Sequence, residues 1–472
     1  MSSREYPAAR ERAPADTTVS AARDLPLGLG AIFFWAATIF YGAWEVWRTF
    51  LPLEVDYDEA WDAWNTQAAL GAGPLYPAQD ALISNNYPPL SYYLVGLSAK
   101  LSGIDFILAG RLGSLLGLGA SAGALAMIVR QFGGSRVAAA LGAGWYLATM
   151  VRSCSGFIGM NDPTLLGLGV MSWALVLFIH RYRAGRSTDI AILLMVAAGF
   201  VKHCLIATPA SVLIWLWLQG DYRKAMRATL VGGVSAAIGL AICTAVYGGA
   251  FLEQLFLYKR HFYWRPAWLA RQTIILAVAL GCGLFWTWRR RTREAAFVFI
   301  FLVAALAVFV GGRSAGAVGI NAIFELILAC AIAVALALDG VGTWIPKWLG
   351  PRTARWGIVA GLAALMLHSH NAKAHLFWIS PEFHRATARQ IQAADAEVAR
   401  VRALPGLVYC STMTVCYRAG KSFVYDQTAV DERVWSGFWT RAQVDQKVKS
   451  LGIVTAPGTD VGAWNARCQC DE

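Results

Sequence analysis

Charge is scarce in this sequence. Only 15% of its 472 residues are Asp, Glu, Lys or Arg, against 57% that are apolar, and the mean hydropathy is +0.48. A single water-soluble core is excluded, and the composition is that of a polytopic membrane protein. The first 25 residues hold no short apolar region followed by a small-residue cleavage site. They read as a polar cytoplasmic tail leading into a retained membrane helix, with no signal peptide expected. No glycine-rich phosphate loop sits between a strand-like and a helix-like stretch, so ATP or dinucleotide use has no support. No repeat period stands out. The net charge of +12 would suit nucleic acid, but the Lys and Arg residues gather in short loops between apolar runs, which is how topology is written. No nucleic-acid partner is expected.

What is abundant is apolar runs. Spans are expected near 27–50, 105–129, 136–157, 163–180, 189–202, 205–219, 228–248, 270–288, 295–311, 321–338 and 356–371, about eleven crossings at roughly 20 residues each. The clusters around Arg130, Arg181, Arg223, Arg289 and Lys347 recur at alternate loops, which assigns them and the N-terminus to the cytoplasm. An odd number of spans puts the 51–104 loop and the 372–472 tail on the opposite face. The expected architecture is thus α-helical, with a transmembrane domain over 26–371 and a small soluble α/β domain over 372–472. In a bacterium this is a multi-pass inner-membrane protein with a periplasmic C-terminal domain. Cys410, Cys416, Cys468 and Cys470 all fall in that tail, where one or two disulfides are plausible and a metal site is the weaker reading. Segment 88–103 reads as an amphipathic helix at the interface, and the small residues of 112–124 as a helix-packing stripe.

The densest acid cluster is Asp56, Asp58, Glu59 and Asp62 in the 51–104 loop. Such acids repel one another and need a cation or a proton, or they serve as the acidic first turn of a helix. Asp162, in Asn161-Asp162-Pro163, adds a carboxylate on the same face and is also a good helix cap. Basic residues on this face are exceptions to the topology rule. Lys202 with His203, Lys259 with Arg260, Arg265, Arg271 and Arg313 are the set, suited to holding a phosphate or to snorkelling among headgroups. A short helix ending at Lys202 and His203 must line a polar cavity. Glu325, close to Asn321, must be paired, with Arg313 as an expected partner. His368, His370 and His375 lack accompanying acids, so a metal ligand set is not expected there. Tyr263, Trp264 and Trp268 suit sugar stacking and interface anchoring equally.

Several short blocks share an order and a sidedness: Asp58-Glu59; Asn86-Tyr87-Pro88-Pro89-Leu90 followed by Tyr92-Tyr93; Asp162; Gly199 to His203; Gly312-Arg313 through Gly316 to Asn321 and Glu325; and Ala419-Gly420-Lys421 with Asp426. In these blocks the chain resembles the GT-C membrane glycosyltransferases, the class of the protein O-mannosyltransferases and the aminoarabinose transferase acting on lipid A. It departs in having Asn86-Tyr87 where a Lys often precedes the Pro-Pro-Leu run. Related bacterial sequences also often lack an acid at the position of Asp58, leaving Asp56 and Glu59 as alternative bases. The resemblance implies transfer of a sugar from a polyprenyl-phosphate donor to a glycan, lipid or protein acceptor, with inversion. In that reading Asp58 is the base, Glu59 or Asp56 shapes the pocket, and Asp162 orients the acceptor or a cation. Lys202, His203, Arg260, Arg265 and Arg313 hold the donor phosphate, and Tyr87, Tyr92, Asn321 and Glu325 line the substrate pocket. A divalent cation (Mg or Mn) at the acid cluster is left open. The competing readings are a transporter or flippase of a lipid-linked saccharide, which also wants buried ions, and a structural partner in an envelope assembly.

Overall fold

The computed structural model describes residues 17–256, 262, 264, 266–315, 318–368 and 380–456, with side chains from Leu25 onward except those of Ala267, Trp268 and His368. Helices α1 (Thr17–Arg48), α4 (Phe106–Gln131), α5 (Arg136–Ser153) and α6 (Pro163–Arg183) form the first half of an apolar bundle. Between α1 and α4 the chain leaves the bundle, making α2 (Asp58–Gln67) and α3 (Leu90–Ser102). Then come α7 (Asp189–Val201), α8 (Ala207–Leu218), α9 (Tyr222–Tyr247) and the short α10 (Gly249–Phe256) and α11 (Pro266–Thr273). The bundle closes with α12 (Ala277–Arg289), α13 (Arg293–Ser314), α14 (Phe324–Asp339) and α15 (Pro351–His368). Each of the eleven expected runs is largely helical over its described residues. Among the described residues, seven helices are by length and composition apolar enough to cross a membrane, the pieces at Leu269–Arg289 and Ile320–Asp339 each including a 3₁₀ turn. Helix α14 is the centre, buried from Phe324 to Leu338.

The small-residue stripe works as packing. A Cβ on Gly117 would stand 2.2 Å from the Leu165 carbonyl oxygen, and one on Gly169 would stand 3.0 Å from the Gly117 Cα. Helices α4 and α6 therefore touch backbone to backbone, which only glycine permits. Helices α7 and α8 have 13 and 12 residues, about 20 Å each. The start of α7 is tied to the start of α9 by the Arg227–Asp189 ion pair, and α8 runs directly into α9, so the two short helices form a V. Its apex, Lys202-His203-Cys204, points to the face that carries α2.

The tail folds as α16 (Pro381–Ala403), β1 (Val408–Cys410), α17 (Met413–Arg418), α18 (Gln427–Trp435), α19 (Arg441–Ser450) and β2 (Val454–Ala456). Strands β1 and β2 pair in parallel, Val408 opposite Val454. Cys410 and Cys416 form a disulfide; Cys468 and Cys470 lie outside the described residues. Trp61, Trp64, Leu75, Tyr76 and Tyr92 of the 51–104 loop share one apolar cluster with Val398, Val401, Val408 and Met413 of the tail. Polar ties reinforce it. Asp426 accepts from Trp61 Nε1 at 3.2 Å and from Ser84 Oγ at 3.1 Å, and Trp64 Nε1 donates to the Lys421 carbonyl at 3.0 Å. Glu54 accepts from the Thr414 amide at 2.8 Å. Its burial pushes the Glu54 carboxyl up to about 8.

Candidate active site

Helix α2 begins with Asp58 and Glu59 in its first turn, where the positive end of the helix dipole favours acids. Successive residues of a helix point about 100° apart, so the two carboxylates face different surroundings. Glu59 is fully enclosed. Arg111, from within α4, grips it with two hydrogen bonds of 2.6 Å, from Nε to Oε1 and from Nη2 to Oε2. The amides of Val55 and Asn161 also donate to it, at 2.8 and 3.1 Å, and the remaining Arg111 donors go to the carbonyls of Thr49, Leu51 and Leu53. This pair ties together α1, α2, α4 and the Asn161 turn. Gly110 makes room for that turn, since a Cβ there would lie 1.5 Å from Asn161 Oδ1. Arg111 was not among the residues singled out from sequence; the available signal was an arginine inside an otherwise apolar span.

Asp58 lies half-buried on the other side of α2. Burial first, then the carboxylates of Asp56 and Asp162, push its acidity well above the carboxylate range, while Lys202 pulls it back. Asp56 is exposed at the lip, its carboxylate accepting from the Asp58 amide at 3.3 Å. Asp162 caps α6, accepting from the Thr164 amide at 2.7 Å, with Pro163 in the first turn. Its other oxygen accepts from Lys202 Nζ at 3.0 Å in a pair whose side chains are 3% and 2% exposed. Capping and ion pairing therefore coexist in one residue. The Lys202 ammonium also lies 3.3 Å from the centroid of the Tyr87 ring, a cation–π contact. Tyr87 packs edge-on against Trp61, and the Tyr92 hydroxyl donates to Asn85 Oδ1 at 2.9 Å. Asp58, Asp162, Lys202 and Tyr87 thus come together from four separate segments.

His203 stands on the exposed side of the apex, its ring 6.2 Å from that of Tyr87. It opens onto an apolar groove of about 540 Å³ walled by α7, α8 and α9, with Pro88, Gly199, Phe200, Ile206, Leu240 and Phe256 in its lining. Asn321 donates to Thr164 Oγ1 at 3.1 Å, which joins the turn before α14 to the start of α6. Glu325 does not pair with Arg313 as expected. Its carboxylate accepts from the Ala207 and Thr208 amides and the Thr208 hydroxyl at 2.7–3.0 Å, because the bare first turn of α8 is the nearest set of unsatisfied donors. Arg313 instead donates to Gln272 Oε1 at 3.1 Å and to the Val318 carbonyl. Arg260, Arg265, Lys259 and Tyr263 lie outside the described residues, as do His370 and His375. Among the described residues no group of three His, Cys, Asp or Glu side chains is disposed to hold a metal, and the cation facing Asp162 is already Lys202. A three-ligand set for the divalent ion left open above is therefore not present among the described residues.

No family model and no curated protein matches the sequence. Solved structures do resemble the fold. ArnT from Cupriavidus metallidurans in the apo state aligns with a TM-score of 0.57 at 14% identity, over 89% of this chain and 92% of that one. ArnT bound to undecaprenyl phosphate gives 0.57 at 15%, over 89% and 93%. The archaeal oligosaccharyltransferase AglB from Archaeoglobus fulgidus, in complex with an inhibitory peptide and a dolichol-phosphate, gives 0.53 at 11%, over 93% and 70%. The fold is the GT-C fold anticipated from the loop blocks.

Proposed function

We propose that this chain transfers a sugar from a polyprenyl-phosphate donor to an acceptor hydroxyl of a glycan, lipid or protein, at the periplasmic face of a bacterial inner membrane. The observation that carries the reading is an apolar groove next to a buried lysine–carboxylate pair: about 540 Å³ of lipid-compatible space opens beside His203, and the residue before it, Lys202, is paired with Asp162. The neighbours seen with undecaprenyl phosphate and dolichol-phosphate suit a donor of that class.

The chemistry follows from the charges. The isoprenoid lies in the groove and its phosphate meets Lys202, with Arg260, Arg265 and Arg313 as further anion holders. Among the described residues Lys202 holds only Asp162 and the Tyr87 face, so an arriving phosphate competes for its ammonium and releases Asp162 to accept from the acceptor. Asp58 takes the proton of the acceptor hydroxyl. The acceptor oxygen bonds to the anomeric carbon as the bond from that carbon to the phosphate oxygen breaks, with inversion, and the charge that develops on the phosphate is stabilised by Lys202. Tyr87 and Tyr92 wall the sugar site. Asp56 shapes its lip, while Glu59 and Glu325 fix the elements around it. A site gathered at one end of the bundle favours a transferase over a carrier, which needs a site reachable from both sides.

The test is sugar release from labelled polyprenyl-phosphate sugars in proteoliposomes. Wild type is expected to consume one donor, and Asp58→Asn to lose at least about a hundredfold in turnover, roughly 2.7 kcal/mol of barrier, with expression unchanged. Wild type that leaves every donor intact but moves one across the bilayer overturns the reading.

A further inference from the structure

Asp62 has no part in the chemistry above, yet its surroundings are unusual for a carboxylate. It is 3% exposed, and neither of its oxygens has a hydrogen-bond partner among the described residues. It lies four residues beyond Asp58 on α2, so both project from the same side of the helix. It borders a small enclosed space with Ser91, Tyr92, Asn161 and Asp162, and the Ser91 hydroxyl likewise lacks a partner. The charged groups that face it are Asp58 and Glu59 from its own helix, Asp162 from the turn before α6 and Lys202 from the end of α7, and Tyr92 faces it from α3. Only one of these is a cation, and Lys202 is engaged by Asp162. Arg111, the buried cation on the other side of α2, is taken by Glu59.

A carboxylate without donors or a counter-ion is too costly to bury, and the group takes up a proton instead. Asp58 and Asp62 compete for that proton. Burial raises both groups, but Asp58 keeps some contact with water whereas Asp62 is 3% exposed, so the ionised form costs less at Asp58. We propose that Asp62 is kept as a neutral carboxylic acid in the working protein and acts as a positioning residue, leaving Asp58 ionised as base and the donor phosphate facing one negative charge fewer. The direction of its acidity agrees, since burial and then the Asp162 carboxylate raise it well above the carboxylate range. When Asp62 ionises at alkaline pH, the new charge repels the donor phosphate and draws the proton back onto Asp58. The proposal rests on the transferase reading for its consequence, but not for its protonation state.

Two measurements on the reconstituted full chain test it. Infrared difference spectra of wild type minus Asp62→Asn at pH 7 are expected to show the carbonyl stretch of a protonated carboxyl group, present in wild type alone. Binding of undecaprenyl phosphate, followed from pH 7 to alkaline pH, is expected to weaken about tenfold in wild type through the added repulsion and far less in Asp62→Asn, whose affinity at pH 7 matches wild type. Asp62→Leu is expected to fold, because no hydrogen bond is lost. A carboxylate band in place of the protonated one, alkaline weakening of equal size in both proteins, or failure of both variants to fold overturns the proposal. Wild type that binds no undecaprenyl phosphate at any pH overturns the transferase reading and leaves the infrared result to decide the state of Asp62.

Discussion

Two buried ion pairs meet at the Asn161-Asp162 turn, one through the Asn161 amide and the other through the Asp162 carboxylate, and they are built to opposite ends. In Glu59–Arg111 every donor and acceptor is taken: the guanidinium serves one carboxylate and three carbonyls, and the carboxylate receives the guanidinium and two amides. In Asp162–Lys202 the ammonium has one carboxylate oxygen and an aromatic face, with an apolar groove beside it. A closed pair can only hold segments together, whereas a pair with donors to spare can change partners when an anion arrives. The difference lies less in residue type than in how many backbone groups point at the charge.

Arg111→Met should break the comparison most violently. It strands Glu59 in a dry interior, and removing one partner of a buried pair costs about 3–5 kcal/mol; thermal unfolding in detergent is expected to show a large fall in midpoint, and the yield of folded protein to drop with it. Lys202→Met should do the reverse. Asp162 keeps its bond from the Thr164 amide, so the midpoint should change far less, while donor turnover falls by about two orders of magnitude, as loss of a preorganised charge on a leaving group does. Equal destabilisation by the two variants would erase the distinction. The smallest effect is expected at Glu54, which is buried against the tail with one amide as donor. Its folded acidity stands at about 8 against an ordinary 4.5, so the folded state holds the extra proton. The contribution is complete below about 4.5, and it is lost as the pH rises through about 8. Protection of the 408–416 amides from hydrogen exchange, corrected for intrinsic rate, should therefore decline from pH 5 to pH 8 in wild type and stay level in Glu54→Gln.

Much of the bundle was legible in the sequence, because apolar runs of helical length have few alternatives in lipid. Asp162 and Lys202 were also legible, each an ionisable residue beside a predicted span where charge is expensive. The roles within the acid cluster were not. Asp58, Glu59 and Asp62 lie within five positions: the azimuth around α2 decides which meets Arg111, and the depth along the helix decides which of the other two meets water. The pairing proposed for Glu325 failed for a related reason: sequence pairs charges with charges, while the structure satisfied this one with the open first turn of a helix. The tail was read as separate, but its apolar side chains interleave with those of the 51–104 loop, a union that composition could not display.

That union has a consequence for biogenesis. Trp61 is anchored by Asp426, 365 positions further along the chain, so the loop bearing Asp58 and Asp62 cannot reach its final arrangement when it first emerges from the translocon. It must wait, with its aromatic side chains uncovered, until nearly the whole polypeptide has been synthesised and the last helices have inserted. Competence should therefore lag insertion, and a chaperone that shields exposed aromatics at the membrane surface would find its client in that interval.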